Sequence, residues 1–432
     1  MEKIQAGVGR VTITPPVGIY LIGMERYDDS HGLRDDLYAT ALALSDGATE
    51  SVLISLDVLS VHPELVRRVA EQVEKQLHIP GPNVLLCATH CHSGPATYAY
   101  PDSPLINIAY VDNLVHLLVG LVRIAHGRLA PARLGFGRGK SNIGVNRRLT
   151  RSDGVTIIDA NPLGPTDPEV GVMRVDNASG EPLAVLVNYA CHPVVLGTQS
   201  NVISSDWPGA MRRKIESVVG GKVLYLQGAG ADINPQPGQP TDREDILEQL
   251  GSEIGEEVLR VWKGISTGPA EKLAVTGRKI WLPLLPVSQH TGRLPELVEL
   301  GGAVTGLTYD QLQIWLHQRS PWSAEIRGQG DDQAAAMEMH ALRAGDIALV
   351  TAGGEVFSKT GLAVKRRSPF SQTLFAGYTN GKVGYIPLPE EYSRGGYEVN
   401  EAYLSARLPA PFAPRASALV EQTAVELLKG IY

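Results

Sequence analysis

The stretch Val84-Leu85-Leu86-Cys87-Ala88-Thr89-His90-Cys91-His92-Ser93-Gly94-Pro95 begins as a strand and ends as a turn. Its apolar run follows the breakers Pro80-Gly81-Pro82 and reads as a buried strand. Between the run and the terminating Ser-Gly-Pro stand two histidines, one residue apart. Alternate residues of a strand share a face, roughly 6–7 Å apart at the Cα level. Imidazoles so placed converge on one metal ion, or one binds the ion and the other works beside it. The plain alternative is a polar strand end that is merely His-rich.

Outward from this stretch, strands and helices alternate. Residues 4–14 read as a strand stopped by Thr14-Pro15-Pro16. Residues 18–36, Gly- and Asp-rich and containing His31, read as an irregular surface excursion. A hairpin, 37–44 and 51–56, turns at Ser45-Asp46-Gly47-Ala48 and ends at Asp57. In 63–77, Leu65, Val69 and Val73 recur every four residues behind Pro63, which predicts an amphipathic helix. A helix over about 108–127 is apolar on most faces. Strands follow at 132–145, 170–176 and 183–191, and the last ends in Cys191-His192-Pro193: again strand, His, breaker. Ser204-Ser205-Asp206-Trp207-Pro208 opens a helix, with Ser205 or Asp206 as its N-cap. Strand 223–227 runs into Gly228-Ala229-Gly230-Ala231-Asp232-Ile233-Asn234-Pro235, and helix 243–264 follows. Strand 273–282, a hairpin of 337–342 and 347–351 leading to Gly353-Gly354-Glu355, a helix, strand 372–378 and a last helix at 413–430 complete the order. This order predicts an α/β fold: a large mixed β-sheet with helices on both faces and a site at the strand C-terminal ends. Residues 1–432 read as one catalytic domain. Within it 270–345, partly helical over 294–318, is the place for a substrate-shaping insertion.

The 432 residues are 43% hydrophobic and 20% charged, length enough for a large core. A formal net charge of −7, with basic residues only in short pairs such as Arg147-Arg148, excludes nucleic-acid binding. No apolar run reaches the length of a membrane span, and Met1 to Gly7 lacks the apolar core of a signal peptide, so a cytoplasmic location is expected. Three cysteines, Cys87, Cys91 and Cys191, are too few for a disulfide framework. Strand parity puts Cys87 and Cys91 opposite His90 and His92, as small buried hydrophobes.

Candidate ligands collect at four strand ends: His90/His92, His192, Glu355, and the turns of Asp57 or Asp232. Two His and a carboxylate with one open position is a catalytic zinc arrangement. Zinc acidifies water and polarises carbonyls. Glu355 has a competing reading as a cap for the next helix. Asp57 and Asp232 read either as hydrogen-bond partners of the histidines or as ordinary turn acids.

A longer set of motifs is ordered along the chain. It comprises Ile13-Thr14-Pro15-Pro16, the Thr-His-Cys-His-Ser-Gly-Pro of 89–95, Asn146-Arg147, Ser204-Ser205-Asp206, Asp232-Ile233-Asn234-Pro235, Gly354-Glu355, Tyr385-Ile386-Pro387, Glu390-Glu391-Tyr392 and Tyr397-Glu398. Together they resemble the catalytic domain of the neutral/alkaline ceramidases over most of the chain. The resemblance implies one Zn2+ per chain, held by His90, His192, Glu355 and Tyr385. It implies that His92 moves protons beside the ion and that Arg147 and Tyr397 face the tetrahedral intermediate. The Tyr-Ile-Pro register selects Tyr385 over Tyr378 and Tyr392. The implied reaction is cleavage of an N-acyl amide in a small-molecule substrate by metal-activated water.

Two departures weigh on the substrate. Asn234 stands where the family turn has Ser, and the chain is too short for the family's C-terminal immunoglobulin-like domain. A zinc-dependent esterase or lactonase acting on a small soluble substrate is therefore the alternative. A serine hydrolase using Ser93 or Ser204 lacks the G-x-S-x-G elbow. A non-catalytic zinc protein would favour a closed, Cys-rich site.

Overall fold

The computed structural model describes residues 3–24, 26, 28–97, 108–290, 324–406 and 408–432; the expected partly helical stretch at 294–318 lies outside them. A nine-stranded mixed sheet runs in the order Lys222–Gln227, Pro182–Tyr189, Glu169–Asn177, Ala130–Lys140, Gln5–Thr12, Tyr38–Ser45, Glu50–Leu56, Val84–Ala88, with Gly268–Pro269 attached to Ala130–Lys140. The α/β architecture expected from the element order is present.

The strand Val84–Ala88 lies parallel to Glu50–Leu56, with Val52 opposite Val84 and Leu56 opposite Ala88. A parallel pair needs a crossover, and helix Pro63–Leu77 supplies it. His62 Nδ1 accepts the Glu64 N–H at its start, and His78 ends it by turning left-handed at φ 59°. Leu65, Val69 and Val73 are buried in one core with helix Ile108–His126. Each such burial contributes about 1.5–3 kcal/mol. By length and composition Ile108–His126 could cross a membrane. Here Leu114, Leu118, Leu121 and Val122 are fully buried in that core.

A second sheet orders Leu273–Pro283, Asp332–Ala344, Ile347–Ala352 and Gln372–Ala376, with Ile326–Gln329 paired to Asp332–Ala344. Val84, Leu86 and Ala88 face the helices, whereas Leu85 and Cys87 join Leu224, Leu226, Leu349 and Leu374 in a core between sheets. Burial on both faces is why the run is continuously apolar rather than alternating. Helices Asp206–Val219 and Glu244–Lys263 cover the other half of the large sheet. Ser358–Arg367 and Ala416–Gly430 cover the second sheet.

The edge of Val84–Ala88 is closed by residues 378–380. The Ala88 N–H donates to Tyr378 O at 3.1 Å, and the Asn380 N–H to Leu86 O at 2.9 Å. Asn380 Oδ1 accepts the Leu86 N–H at 2.8 Å. The covered edge joins the two sheets. It brings the loops after Ile347–Ala352 and Gln372–Ala376 against the end of the His90 strand.

Three local expectations are corrected. The strand stops at Ala88, and His90 is left-handed at φ 67°, so strand parity does not extend to the histidines. Ser205 is the N-cap of helix Asp206–Val219 as expected, but it makes no side-chain capping bond, because its Oγ donates to Asp35 instead. The excursion at 18–36 is not wholly at the surface: among its described residues Ile19, Leu21, Ile22, Arg26 and Ser30 are buried, although His31 is exposed as expected.

Candidate active site

Each histidine is oriented from behind by a backbone carbonyl. His90 Nδ1–H donates to Leu59 O at 2.7 Å and His92 Nδ1–H to Gly23 O at 2.9 Å. His192 Nδ1–H donates to Gly230 O at 2.8 Å and Ile233 O at 3.1 Å. These bonds fix the tautomers and turn all three Nε2 atoms inward. Gly230 is required at its turn, since a Cβ there would lie 2.7 Å from Gln227 Nε2 and 3.0 Å from Cys191 N. The expected carboxylate partners are not used. Asp57 pairs with Arg212 at 2.8 Å. Asp232 accepts the Ser358 N–H at 2.8 Å and the Asn146 side chain at 3.2 Å, and so caps the helix that Glu355 was a candidate to cap.

His90, His92 and His192 offer ligand nitrogens within 4.8 Å of one another, all buried. Glu355 Oε2 lies 3.4 Å from His90 Nε2 and 3.7 Å from His192 Nε2. Yet His90 Nε2, His92 Nε2 and Glu355 Oε2 are buried without hydrogen-bond partners. Buried polar atoms are otherwise almost always paired. Three unpaired ligand-type atoms converging on one point fit a metal ion.

Electrostatics keep these groups in ligand form. Burial, with the Arg147 charge, pushes His192 down to about 3. Burial and the neighbouring imidazoles hold His92 well below its ordinary value. For Glu355 burial alone acts upward, but His90, His192 and Lys382 hold the carboxyl well below the usual range.

Tyr385 stands on the opposite side, its hydroxyl 3.4 Å from His192 Nε2. It pairs in parallel register with Glu355 in a two-stranded ladder, so one short sheet carries both side chains. Arg147 Nη2 donates to the Tyr385 hydroxyl at 3.0 Å. Burial raises the phenol, and the guanidinium opposes that rise. Tyr397 packs edge-on to Tyr385 with centroids 5.7 Å apart and is only partly buried. The structure therefore brings together every expected site residue: His90, His92, His192, Glu355, Tyr385, Arg147 and Tyr397.

Residues to which the sequence reading gave no supporting role hold these in place. Arg147 donates through Nε to Glu398 at 2.8 Å and through Nη1 to Asn234 Oδ1 at 3.2 Å. Arg148 is fully buried and bonds Glu398 and Glu391. The basic pair thus faces two acids inside the molecule. Arg26 donates to His92 O at 2.9 Å and to Ser93 Oγ at 3.0 Å. Ser204 Oγ donates to Asp35 at 3.0 Å, so neither candidate serine is bonded to a histidine. The thiols are buried and free, with burial pushing Cys87 up to about 12 and Cys91 and Cys191 well above their ordinary value.

A mixed α/β scaffold whose strand ends gather three imidazoles, a carboxylate, a phenol and a guanidinium defines the class of a hydrolase with a metal-type centre. A model of the family "neutral/alkaline non-lysosomal ceramidase, N-terminal" matches residues 4–230, more than half of the chain. The chain belongs to the neutral/alkaline non-lysosomal ceramidase family. The neutral ceramidase of Pseudomonas aeruginosa is 23% identical over 505 residues, covering 97% of this chain and 72% of that protein. That of Mycobacterium tuberculosis is 24% identical, covering 82% of this chain and 66% of its own length. Neutral ceramidase A of Dictyostelium discoideum is 26% identical over 223 residues, which is 45% of this chain and 30% of that protein. The crystal structure of the Pseudomonas aeruginosa neutral ceramidase superposes with a TM-score of 0.74 at 21% identity, covering 99% of this chain and 74% of that one. A ceramidase structure complexed with C2 gives the same score at 20% identity. The fold is shared with that structure, and the family resemblance read from the motifs is borne out.

Proposed function

We propose that the protein is a one-zinc amidohydrolase that cleaves an N-acyl amide of the ceramide type. His90, His192, Glu355 and Tyr385 hold the ion, and His92, Arg147 and Tyr397 act on the substrate. The observation that carries this reading is the buried cluster of His90, His92 and His192 ligand nitrogens within 4.8 Å of one another, with Glu355 Oε2 3.4 Å from His90 Nε2 and 3.7 Å from His192 Nε2. Zinc held there would make a water nucleophilic near neutral pH and polarise the amide carbonyl. His92, anchored by Gly23 O and kept neutral by burial, takes the proton released on attack and returns one to the leaving amine. Arg147 is fixed by Glu398 and Asn234 before substrate arrives, so it meets the developing oxyanion without reorganisation. Tyr397 orients the acyl group.

A second reading is a zinc esterase or lactonase on a smaller substrate. Asn234 favours it, because this departure from the family turn holds Arg147 directly. One experiment separates the readings. Protein stripped with a chelator is assayed on ceramide, a short N-acyl amide, a simple ester and a lactone, then again after zinc is restored. Activity lost on stripping, restored by zinc and highest on the amides supports the proposal. Full activity without metal overturns the zinc chemistry, and a preference for ester or lactone selects the second reading.

A further inference from the structure

Tyr378 is fully buried, and its hydroxyl has no hydrogen-bond partner among the described residues. An unpaired buried hydroxyl costs stability that a phenylalanine would not. The backbone carries a second cost, a left-handed φ of 55° beneath a bulky side chain. Local costs of these kinds collect at functional sites.

The residue is stitched between two parts of the site. Its N–H donates to Gly354 O at 3.3 Å, next to Glu355, and its carbonyl accepts from Ala88, two residues before His90. The ring lies along the His90 imidazole, with centroids 4.1 Å apart and planes 33° apart. Glu355 Oε2, 3.4 Å from His90 Nε2, is a buried acceptor that is also unpaired. An unpaired donor and an unpaired acceptor thus flank one imidazole. The Tyr385 hydroxyl, in contrast, is already engaged by Arg147.

The geometry points to Tyr378 as a positioning residue, its hydroxyl the donor for the free Glu355 oxygen and its ring the backing for His90. This inference rests on the metal site proposed above. The test is Tyr378→Phe, which keeps the ring and removes the hydroxyl. Thermal midpoints of stripped and zinc-loaded protein are measured, together with the time course of zinc loss to a chelator. The stripped variant should melt no lower than stripped wild type. Its zinc-induced rise in midpoint should shrink, and zinc should leave about tenfold faster. Wild-type zinc loss and a wild-type rise would overturn the inference, as would an equal fall in stripped and loaded midpoints, which is a packing effect. If wild type itself shows no zinc-induced rise, the metal site fails and the inference with it. A rise in wild type that Tyr378→Phe leaves unchanged removes the inference alone.

Discussion

Glu398→Gln tests the support beneath the site. Arg147, Arg148, Glu391 and Glu398 form a buried network whose side chains are between 1% and 6% exposed. Glu398 takes Arg147 Nε on one oxygen and Arg148 Nη1 on the other. The two buried guanidinium groups face two carboxylates, with partly exposed Arg394 also 3.1 Å from Glu391, and the substitution removes one of the two negative charges. Breaking a buried pair by removing one partner costs about 3–5 kcal/mol. Gln keeps an acceptor for Arg147 but turns an amide donor towards Arg148, so a loss of about 3 kcal/mol is expected. Burial alone would raise the Glu398 carboxyl, but Arg147 and Arg148 hold it below its ordinary value. A carboxylate depressed in the folded state stabilises above its unfolded pKa, about 4.3, and loses that contribution as pH falls through the folded value. The gap between wild type and variant should therefore be full at pH 7 and narrow below about pH 4. Because Arg147 reaches Tyr385 from this network, kcat/KM should also fall about tenfold. Urea unfolding across that pH range, with steady-state kinetics at pH 7, reads both effects. A loss below about 1 kcal/mol at pH 7, as for an exposed pair, or a loss independent of pH, would refute the reasoning.

Four further substitutions separate roles within the site. His90→Ala should strip the metal, whereas His92→Ala should retain most of it and lose turnover; equal metal loss by elemental analysis would make the two histidines one chelating pair. Gly23→Ala places a Cβ 2.8 Å from His92 Nδ1 at a φ of 102°, so kcat should drop at least tenfold with metal content unchanged; wild-type kcat would show that His92 needs no such seat. Asn234→Ala removes the Arg147 acceptor at 3.2 Å, and steady-state kinetics should show a loss of about three- to tenfold in kcat/KM; an unchanged kcat/KM would show that Glu398 alone holds Arg147.

Much of the order of elements was legible because most strands and helices announce themselves locally, but the expected strand 132–145 is two strands, Ala130–Lys140 and Gly144–Thr150, and Thr156–Asn161, which pairs with the second, was not read. Leu65, Val69 and Val73 share a helical face, and Val84 to Leu86 form a run that only burial on both sides permits. The site residues were legible because histidine, glutamate and tyrosine beside breakers at strand ends are the side chains that metal hydrolysis uses. Their supports were not, for a physical reason: Leu59, Gly23, Gly230 and Ile233 act through carbonyls that every residue possesses. No side chain marks them. The edge closure by 378–380 was hidden for a similar reason, since it joins Leu86 to Asn380 across nearly three hundred residues of chain. The period-two argument failed at His90 because the backbone leaves the strand two residues before it. Its left-handed φ of 67° is what turns the ring away from the helix layer and towards Glu355. His90, Tyr378 and Asn380 all share this strained geometry, at 67°, 55° and 55°. Such positions persist only where the surroundings over-determine them. Here those surroundings are the closed sheet edge, through Ala88, Leu86 and Gly354, and the Leu59 carbonyl behind His90, which places stability and chemistry in competition for the same few residues.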